Sequence, residues 1–301
     1  MKVVITGSSG MVGTALTEKL RAQGDEVVSY VRKMHPGKTG QYLWNPEAGT
    51  IDSAGLSGAS AVVNLAGENI AAKRWTPEQK EKIRTSRVEG TTLLSHTIAG
   101  LPAKPEVLVS ASAIGFYGDR GDEMLTENSA PGSGFLAEVC KEWEQSTKAA
   151  EASGVRIVRA RLGVVLSKNG GALQKMLPIF QLGGGGIIGS GKQYMSWVTL
   201  DDVVNALIFA IKTKSVTGPI NIVAPNSVRN SEFTDALGHA LHRPAVLPLP
   251  AFAAKIIMGE MADELLLSSA RVEPLALEGN KFGFEYPNLA GALLHTLGKS
   301  A

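Results

Sequence analysis

Short runs rich in apolar residues recur along the first half of the chain and predict strands. They lie at residues 3–6, 26–31, 61–65, 107–111 and 155–159. The runs at 61–65 and 107–111 are almost wholly apolar and lack the polar alternation of a half-exposed strand. This pattern is typical of strands that are buried on both faces of a parallel sheet.

Helical patterns fill the intervals between these runs. Residues 12–20 carry an apolar stripe at helical spacing that ends near Gly24. The segment 76–79, Thr-Pro-Glu-Gln, is a capping box with proline at the first helical position. A longer helix is predicted at 134–153. Strands that alternate with helices in this way predict an α/β fold, a doubly wound parallel sheet with helices on both faces and right-handed crossovers.

The pattern changes in the second half of the chain. Residues 183–193 are rich in glycine and predict a mobile loop or turn, whereas 201–211 are apolar nearly all round and predict a buried helix. Residues 245–301 lose the alternation, contain several prolines and predict a small, mostly helical part. We therefore expect a core at 1–165 and a mixed region at 166–301, which completes the sheet and forms the small C-terminal part.

Composition and charge exclude several classes of partner. The formal net charge is +2 at pH 7, so no strong field favours nucleic acid or an acidic membrane surface, and we expect neither partner. No apolar run approaches the roughly 18 residues of a membrane helix. Thr6, Ser8 and Ser9 interrupt the first apolar run too early for a signal peptide. Cys140 is the only cysteine, so an intrachain disulfide is excluded and a reducing, cytoplasmic location is expected.

Three glycines, Gly7-x-x-Gly10-x-x-Gly13, stand between the first predicted strand and the first predicted helix. Glycine permits the tight turn, the close approach of a pyrophosphate and the close packing of helix on strand. The helix N-terminus then presents free N–H groups to the phosphates. We interpret the motif as a dinucleotide phosphate loop, and the alternative is a turn without a ligand. The predicted cofactor contacts are Thr6, Gly7, Ser9, Gly10, Met11, Val12 and Gly13.

The residues after the second predicted strand indicate which dinucleotide is bound. An NAD site usually has an acid here for the ribose 2′-hydroxyl, whereas an NADP site has an arginine nearby. In this chain Arg32 and Lys33 follow the strand, and no acidic residue occurs after them until Glu47. Arg32, supported by Lys33 or Ser29, therefore predicts NADP(H) as the cofactor. The alternative is a solvated basic pair on a loop.

Several further motifs resemble extended short-chain dehydrogenases/reductases, the group that includes the nucleotide-sugar epimerases and dehydratases. They are the glycine loop with Thr6, Asn64-Leu65-Ala66-Gly67, Ser110-Ala111-Ser112 with Tyr117-Gly118, and Val198-Thr199-Leu200-Asp201-Asp202. The segments that are similar to an atypical "epimerase family" branch are Gly67–Ile70, Lys73–Thr76, Ser86-Arg87, 185–193 and 245–290. The resemblance covers nearly the whole chain. It implies a Rossmann sheet of about seven strands and further cofactor contacts at Leu65, Ala66, Gly67 and Ser110.

The resemblance also implies a set of catalytic residues, of which this chain keeps only a part. Active members of the superfamily use an asparagine, a serine or threonine, a tyrosine and a lysine, the last two four residues apart on one helix. Ser112 matches the serine. The tyrosine and lysine positions hold Leu136 and Cys140, and a shift by one residue gives Ala137 and Lys141, still without a tyrosine. Cys140 is interpreted as a packed core thiol.

The asparagine position holds Arg87, which helical spacing places on the inward face of its predicted helix. A charge on that face requires a partner. The partner is a carboxylate such as Glu68, a cofactor phosphate or a substrate anion. Any chemistry is therefore assigned to Ser112, Tyr117, Glu68 and Arg87. The alternatives are that Ser112 is a turn serine, that Tyr117 is a packing tyrosine and that Arg87 forms an internal salt bridge.

The substrate side is less strongly marked. Lys192, Arg229 and Arg161 are candidate contacts for an anionic substrate, with surface or structural cations as the alternative. The glycines of 183–193 suit a lid, with a plain flexible loop as the alternative. Met195 stands where the extended family often has an arginine, which weakens the inference of a nucleotide-sugar substrate. No metal site and no oligomeric state are predicted.

Two functions remain open. The first is an NADP(H)-dependent oxidoreductase or epimerase that acts on an anionic small molecule with rearranged catalytic residues. The second is a regulatory protein that binds NADP(H) without catalysis, since some similar proteins carry labels tied to cell division. Ser112 and the inward Arg87 favour the first function, and the missing tyrosine and lysine favour the second.

Overall fold

The computed structural model describes residues 1–299. The strands of this part of the chain are short, as the apolar runs predict. They are β1 (Lys2–Thr6), β2 (Glu26–Val31), β3 (Gln41–Asn45), β4 (Thr50–Ile51), β5 (Ala61–Asn64), β6 (Val107–Ala113), β7 (Met124–Leu125), β8 (Arg156–Leu162), β9 (Val164–Leu166), β10 (Tyr194–Met195), β11 (Trp197–Thr199), β12 (Gly218–Ile222), β13 (Val228–Arg229) and β14 (Arg271–Val272).

Within residues 1–299, eight strands form the main sheet in the order β12-β8-β6-β5-β1-β2-β3-β4. β1 pairs in parallel with β2 and β5, β5 pairs with β6, and β2 pairs with β3. The strand order reverses between β1 and β5, which is the topological switch of a doubly wound Rossmann sheet. The predicted fold class is confirmed, with one strand more than the expected seven or so. The additional strand is β4, which pairs antiparallel with β3 at the edge.

The helices alternate with these strands. They are α1 (Met11–Ala22), α2 (Pro77–Ala99), α3 (Phe135–Gln145), α4 (Lys148–Ala152), α5 (Gly171–Gln181), α6 (Leu200–Lys212), α7 (Asn230–Leu241), α8 (Ala251–Met258), α9 (Glu260–Ala262), α10 (Leu275–Gly279) and α11 (Leu289–Leu297). Short 3₁₀ turns lie at Ser53–Leu56 and Ile114–Tyr117, and a π-helical turn lies at Asp263–Leu267. Among residues 1–299, none of the helices has the length and apolar character needed to cross a membrane.

The start of α2 follows directly from its sequence. The backbone N–H of Gln79 donates to Thr76 Oγ1 at 3.2 Å, and Pro77 occupies the first helical position. The cap satisfies one of the N–H groups that a helix leaves unpaired at its N-terminus, and proline lacks another. The predicted boundary at 76–79 therefore agrees with the structure.

The helix expected at 134–153 is divided into α3 and α4. At the break, the Ser146 hydroxyl donates to the Glu142 carbonyl at 2.9 Å and the Thr147 hydroxyl donates to the Glu144 carbonyl at 2.7 Å. Serine and threonine side chains that bond to nearby carbonyls in this way compete with the helical hydrogen bonds. The division is thus a local effect of two adjacent hydroxyl residues.

The chain groups into two compact units, each built from separate segments. The first consists of Met1–Ser112, Val139–Ala160 and Leu207–Ile220, and the second consists of Ala113–Glu138, Arg161–Ala206 and the chain from Asn221 onward. Apolar side chains of β1, β2, β5, β6 and α2 pack together in the core of the first unit; among them are Val4, Val28, Val62, Leu94, Ile98 and Leu108. The functional division at residue 165 stays a prediction.

The glycine-rich segment 183–193 is held by backbone contacts within the second unit. The Leu247 N–H donates to the Gly185 carbonyl at 3.0 Å. A Cβ atom at Gly186 would lie 1.9 Å from the Leu247 carbonyl oxygen. Gly185 and Gly186 therefore serve the close packing of two backbone segments, and the expected lid or flexible loop stays a prediction.

Candidate functional site

The phosphate loop joins β1 to α1. Gly7 has φ +67°, and a Cβ atom there would lie 2.7 Å from the Leu65 carbonyl. A Cβ atom at Gly13 would lie 2.2 Å from the Gly7 carbonyl oxygen. Gly10 is the N-cap of α1, whose first turn has neither a side-chain cap nor an acidic residue. The loop is thus a cradle that side chains would fill, followed by a helix N-terminus that suits the pyrophosphate of a dinucleotide.

A groove of about 1550 Å³ lies along this loop within the first unit. The predicted cofactor contacts that line it are Gly7, Ser9, Gly10, Arg32, Leu65, Ala66 and Gly67. Met11 and Val12 are partly buried in the first turn of α1, and Gly13 is buried. The structure therefore brings most of the predicted cofactor contacts to one groove.

The far end of the groove is basic. Arg32 directly follows β2, is exposed and lines the groove together with Lys33 and the buried Ser29. No acidic residue lies between Arg32 and Glu47. The position that holds an acid in a typical NAD site is thus occupied by cations.

Thr6 is buried and ties the ends of β1 and β5 together. Its hydroxyl donates to Asn64 Oδ1 at 2.6 Å and accepts hydrogen bonds from the N–H groups of Leu65 and Ala66, at 3.2 and 3.3 Å. The side chain of this predicted cofactor contact is therefore used within the protein. Its role is to fix the segment from Leu65 to Gly67, which forms a wall of the groove.

A buried polar network continues from Asn64. Its amide Nδ2 donates to Thr91 Oγ1 at 2.8 Å and to Ser110 Oγ at 3.2 Å. The indole N–H of Trp143 donates to the same Thr91 hydroxyl at 2.9 Å. Ser110, predicted as a cofactor contact, is thus a buried member of a network that joins β5, β6, α2 and α3. No motif in the sequence marks Thr91, whose hydroxyl joins this network, and its role was not predicted.

Arg87 lies on α2 behind the groove wall. Its guanidinium carbon is 5.1 Å from the centre of the Trp143 ring and would be 3.1 Å from a Cβ atom at Gly67. Nη1 donates to the Ile83 carbonyl at 3.0 Å. The guanidinium is therefore stacked between an aromatic ring and the backbone of a groove-lining glycine, an arrangement that arginine favours.

The guanidinium of Arg87 is a largely buried cation. Burial lowers the pKa of its guanidinium, whereas the nearby Cys140 and Glu68 raise that pKa. Among the described residues, Glu68 and Arg87 do not form an ion pair, and the backbone N–H of Glu68 donates to Ser86 Oγ at 2.9 Å. A guanidinium has five N–H donors. Arg87 therefore has unused donor capacity beside Gly67.

Ser112 is buried near the end of β6, and its hydroxyl donates to Glu144 Oε1 at 2.8 Å. Glu144 lies on α3, two turns after Leu136 and one turn after Cys140. No motif in the sequence marks Glu144 as a site residue. The available signal was its four-residue spacing from Cys140, which places both on one helix face.

The positions that the superfamily uses for tyrosine and lysine belong to the core in this chain. Leu136, Val139, Cys140 and Trp143 are all buried on one face of α3. Cys140 is a buried thiol outside any disulfide, in agreement with its interpretation as a packed residue. The face of α3 that packs on the sheet therefore places Glu144 next to Ser112. α3 contains no tyrosine.

Tyr117 belongs to the second unit and is fully buried. Its hydroxyl lies 2.7 Å from Asn221 Oδ1 and 2.9 Å from the Thr126 carbonyl oxygen, and it accepts a hydrogen bond from Arg161 Nη1 at 2.8 Å. Burial raises the pKa of the Tyr117 phenol, while Arg161 and Asn221 lower it. These contacts occupy the hydroxyl fully, so the packing alternative describes this tyrosine better than the role of a catalytic acid.

Of the three cations considered for an anionic substrate, Arg161 and Arg229 have partners within the second unit, and Lys192 is exposed. Arg161 is buried and lies 3.6 Å from the centre of the Phe116 ring. Arg229 Nη1 donates to the Lys192 carbonyl at 2.6 Å, and Arg229 pairs with Asp122 at 3.4 Å. These contacts support the alternative of structural cations for Arg161 and Arg229, and the exposure of Lys192 suits the alternative of a surface cation. Among residues 1–299, no cluster of histidine, cysteine, aspartate and glutamate side chains forms a metal site.

Comparison with known proteins agrees with this geometry. The sequence model of the "NAD dependent epimerase/dehydratase family" matches residues 3–223, and a domain of unknown function, DUF1731, matches residues 249–296. An epimerase family protein of Mycobacterium bovis is 46% identical over 291 residues, which cover 97% of this chain and 96% of that protein.

Two solved structures are similar over nearly the whole chain. Human epimerase family protein SDR39U1, determined with NADPH, is 34% identical with a TM-score of 0.90, and the match covers 98% of this chain and 99% of that one. A protein of Corynebacterium glutamicum named as a nucleoside-diphosphate sugar epimerase is 39% identical with a TM-score of 0.81, and the match covers 99% of this chain and 58% of that one. The glycine loop, the Rossmann sheet and these matches together show that the chain belongs to the NAD-dependent epimerase/dehydratase family.

Proposed function

We propose that this protein is an NADP(H)-dependent oxidoreductase or epimerase that acts on an anionic small molecule, such as a nucleotide sugar, in the cytoplasm. The observation that carries the proposal is the dinucleotide groove, which collects most of the predicted cofactor contacts. The buried Ser112, whose hydroxyl donates to Glu144, supports a catalytic role beyond cofactor binding. The lone buried thiol of Cys140 suits a reducing compartment.

The residues of the groove fit the cofactor. Gly7 and Gly13 allow the loop to pack tightly on its own backbone and on Leu65, and the N-terminus of α1 presents backbone N–H groups to a pyrophosphate. The segment Leu65–Gly67 is fixed by Thr6 and forms the adjacent wall. When bound, the nicotinamide ring supplies or accepts the hydride of the reaction.

Arg32 supports NADP(H) over NAD(H). Its guanidinium lies at the end of β2, where it is positioned to pair with a 2′-phosphate, and Ser29 and Lys33 line the same part of the groove. The human relative was determined with NADPH, which supports the same assignment.

The substrate class follows from Arg87. A stacked guanidinium with unused donors beside Gly67 is suited to a carboxylate or phosphate. A relative at 39% identity is named as a nucleoside-diphosphate sugar epimerase, and a diphosphate is such an anion. Ser112 supplies a hydroxyl to the substrate oxygen whose proton is exchanged.

A comparison of metabolites tests the proposal. The protein, with NADPH or NADP⁺ confirmed to be bound, is added to a small-molecule cell extract and compared with Gly10→Asp. In that variant a carboxylate at the N-terminus of α1 repels the cofactor phosphates. Isomers are separated, because an epimerase that recycles its hydride consumes no net cofactor. We expect a pair of metabolites that changes only with the intact protein.

The second candidate function is a non-catalytic regulator that binds NADP(H). The observation in its favour is that Leu136 and Cys140 replace the usual tyrosine and lysine and are buried in the core. This candidate predicts no metabolite change with the cofactor bound. That result would contradict the enzymatic proposal and direct the search to protein partners.

A further inference from the structure

The second unit carries a group of exposed apolar side chains on α8 and on the segments beside it. Among residues 1–299, all the large hydrophobic side chains that are more than half exposed lie between residues 179 and 257. Six of them, which we call the apolar patch, are between 59% and 89% exposed: Leu182, Val246, Leu247, Phe252, Ile256 and Ile257. Single exposed apolar residues are normal on a folded protein, whereas a group of them marks an interaction surface.

Backbone contacts bring the members of the apolar patch together. The Leu247 N–H donates to the Gly185 carbonyl at 3.0 Å, so residues 246–249 run along the chain that follows Leu182 at the end of α5. α8 begins two residues after this segment. The exposed side chains therefore lie on one continuous stretch of the surface.

The distribution of side chains on α8 is the reverse of an ordinary surface helix. Such a helix buries its large apolar residues and exposes polar ones. In α8 the fully buried residue is the small Ala254, whereas Phe252, Ile256 and Ile257 are exposed. Because burying one large apolar side chain contributes about 1.5–3 kcal/mol, the outer face of α8 is suited to being covered by another surface.

The size and shape of the apolar patch suit a protein partner. At roughly 100 Å² of apolar area for each side chain, the six residues present about 600 Å². A stable protein–protein interface buries about 600–1,000 Å² on each partner, part of it in a polar rim. Leu182 is 89% exposed, so this part of the surface is not a concave site for a small molecule.

The charges at the two ends of the apolar patch have opposite signs. Arg243 is exposed beside the end of α5, where its Nε donates to the Gln181 carbonyl at 2.9 Å. Glu260 and Asp263 are exposed beside the end of α8. A twofold axis through the patch would bring the basic end of one copy to the acidic end of the other. The single cation of α8, Lys255, pairs with Asp263 at 2.8 Å, which does not suit an acidic membrane surface.

We propose that the apolar patch is the contact between two copies of this chain in a twofold-symmetric dimer. The large side chains of α8, Phe252, Ile256 and Ile257, form the centre of the interface. Arg243 of each copy faces the acidic end of the patch on its partner. The dimer is independent of the catalytic function proposed above, because none of these residues lines the dinucleotide groove.

Sedimentation equilibrium tests the dimer with the intact protein, Ile256→Asp and the control Leu275→Asp. Leu275 is also an exposed apolar residue, but it lies outside the patch at the first position of α10, where an acidic side chain suits the helix N-terminus. We expect the intact protein and Leu275→Asp to dimerise with the same Kd in the micromolar range or below. Ile256→Asp should raise that Kd on the order of 100-fold, because each copy would place a carboxylate at the centre of the interface. NADPH affinity should be equal in all three proteins.

Amide hydrogen exchange locates the contact in the intact protein and needs no variant. The exchange is measured at protein concentrations below and above the dimer Kd. Exchange in residues 246–257 should slow as the dimer forms, because the partner covers these residues. Exchange in α10 should stay the same.

Three results would overturn the inference. They are a protein that stays monomeric throughout the micromolar range, a dimer that forms without protection of residues 246–257, and an Ile256→Asp variant that dimerises as tightly as the intact protein. If Ile256→Asp does not fold, the hydrogen exchange of the intact protein decides. None of these results bears on the metabolite comparison, so the dimer and the proposed function fail separately.

Discussion

We propose that Arg32 is the residue that sets the choice between the two dinucleotides. Removing its guanidinium in Arg32→Ala should weaken NADPH binding by about 10- to 100-fold, because a hydrogen-bonded charge pair contributes about 1.5–3 kcal/mol. NADH lacks the 2′-phosphate, so its affinity should change little. The dissociation constants are measured by nicotinamide fluorescence. Lys214→Ala, which removes an 85% exposed cation, is the control. An equal loss for both dinucleotides would contradict the 2′-phosphate assignment.

Gly13 makes a second prediction at the residue scale. Its φ is ordinary, but a Cβ atom would lie 2.2 Å from the Gly7 carbonyl oxygen and 2.8 Å from Ser8 Cα. Gly13→Ala should therefore displace the phosphate loop, abolish measurable NADPH binding and lower the free energy of unfolding by about 1–3 kcal/mol. Urea denaturation and NADPH fluorescence measure the two effects.

The matched control is Gly291→Ala on α11, where no atom lies within 4 Å of the added Cβ. That substitution should raise the free energy of unfolding by about 0.5–1 kcal/mol, because alanine is the better helix former. Normal NADPH binding by Gly13→Ala would show that the loop does not hold the pyrophosphate.

At the scale of elements, Arg156 of β8 closes the C-terminal end of α6. Its guanidinium donates to the carbonyls of Ala210, Ile211 and Val216, at 2.9, 2.8 and 2.6 Å. A cation at this end of a helix also interacts favourably with the helix dipole. Arg156→Ala should lower the free energy of unfolding by about 2–3 kcal/mol. Arg120→Ala, which breaks an exposed pair with Glu123, should cost less than about 1 kcal/mol.

Elements with local signals could be predicted from the sequence, and elements without them could not. The start of α2 was predictable because Thr76 and Pro77 act within one helical turn. β3 and β4 were missed because Gln41–Asn45 mixes polar and apolar residues and is stabilised by pairing with β2 and β4. Such non-local pairing leaves little trace in a single sequence.

The residues of the candidate site also differ in whether a local sequence signal made them predictable. The phosphate loop was predictable because Gly7 and Gly13 meet a backbone requirement that is local in the chain. Glu144 was not, because its place beside Ser112 depends on how α3 packs against β6, 32 residues away in sequence. A motif that matches residue types therefore finds the serine but misses the carboxylate that orients it.

At the scale of the whole molecule, each compact unit buries one tyrosine completely, Tyr30 in the first and Tyr117 in the second. Burial raises the pKa of both phenols, and the charge of Asp52 raises that of Tyr30 further. As the pH rises above about 10, the two phenols therefore ionise in the unfolded chain before they ionise in the folded chain. The contribution of each tyrosine to the free energy of unfolding should be constant below about pH 10. Above that pH it should fall by about 1.4 kcal/mol per pH unit.

Tyr30→Phe isolates one of these contributions. It keeps the ring next to Tyr42 and Trp44, with centres 6.3 and 6.2 Å apart, and removes only the hydroxyl that donates to the Asp52 carbonyl. At pH 7 the variant should be less stable by about 1 kcal/mol. Above pH 10 its free energy of unfolding should fall less steeply than that of the intact protein, by about 1.4 kcal/mol per pH unit. Urea denaturation between pH 7 and 11 measures both slopes, and parallel curves would show that Tyr30 ionises equally in the folded and unfolded chain.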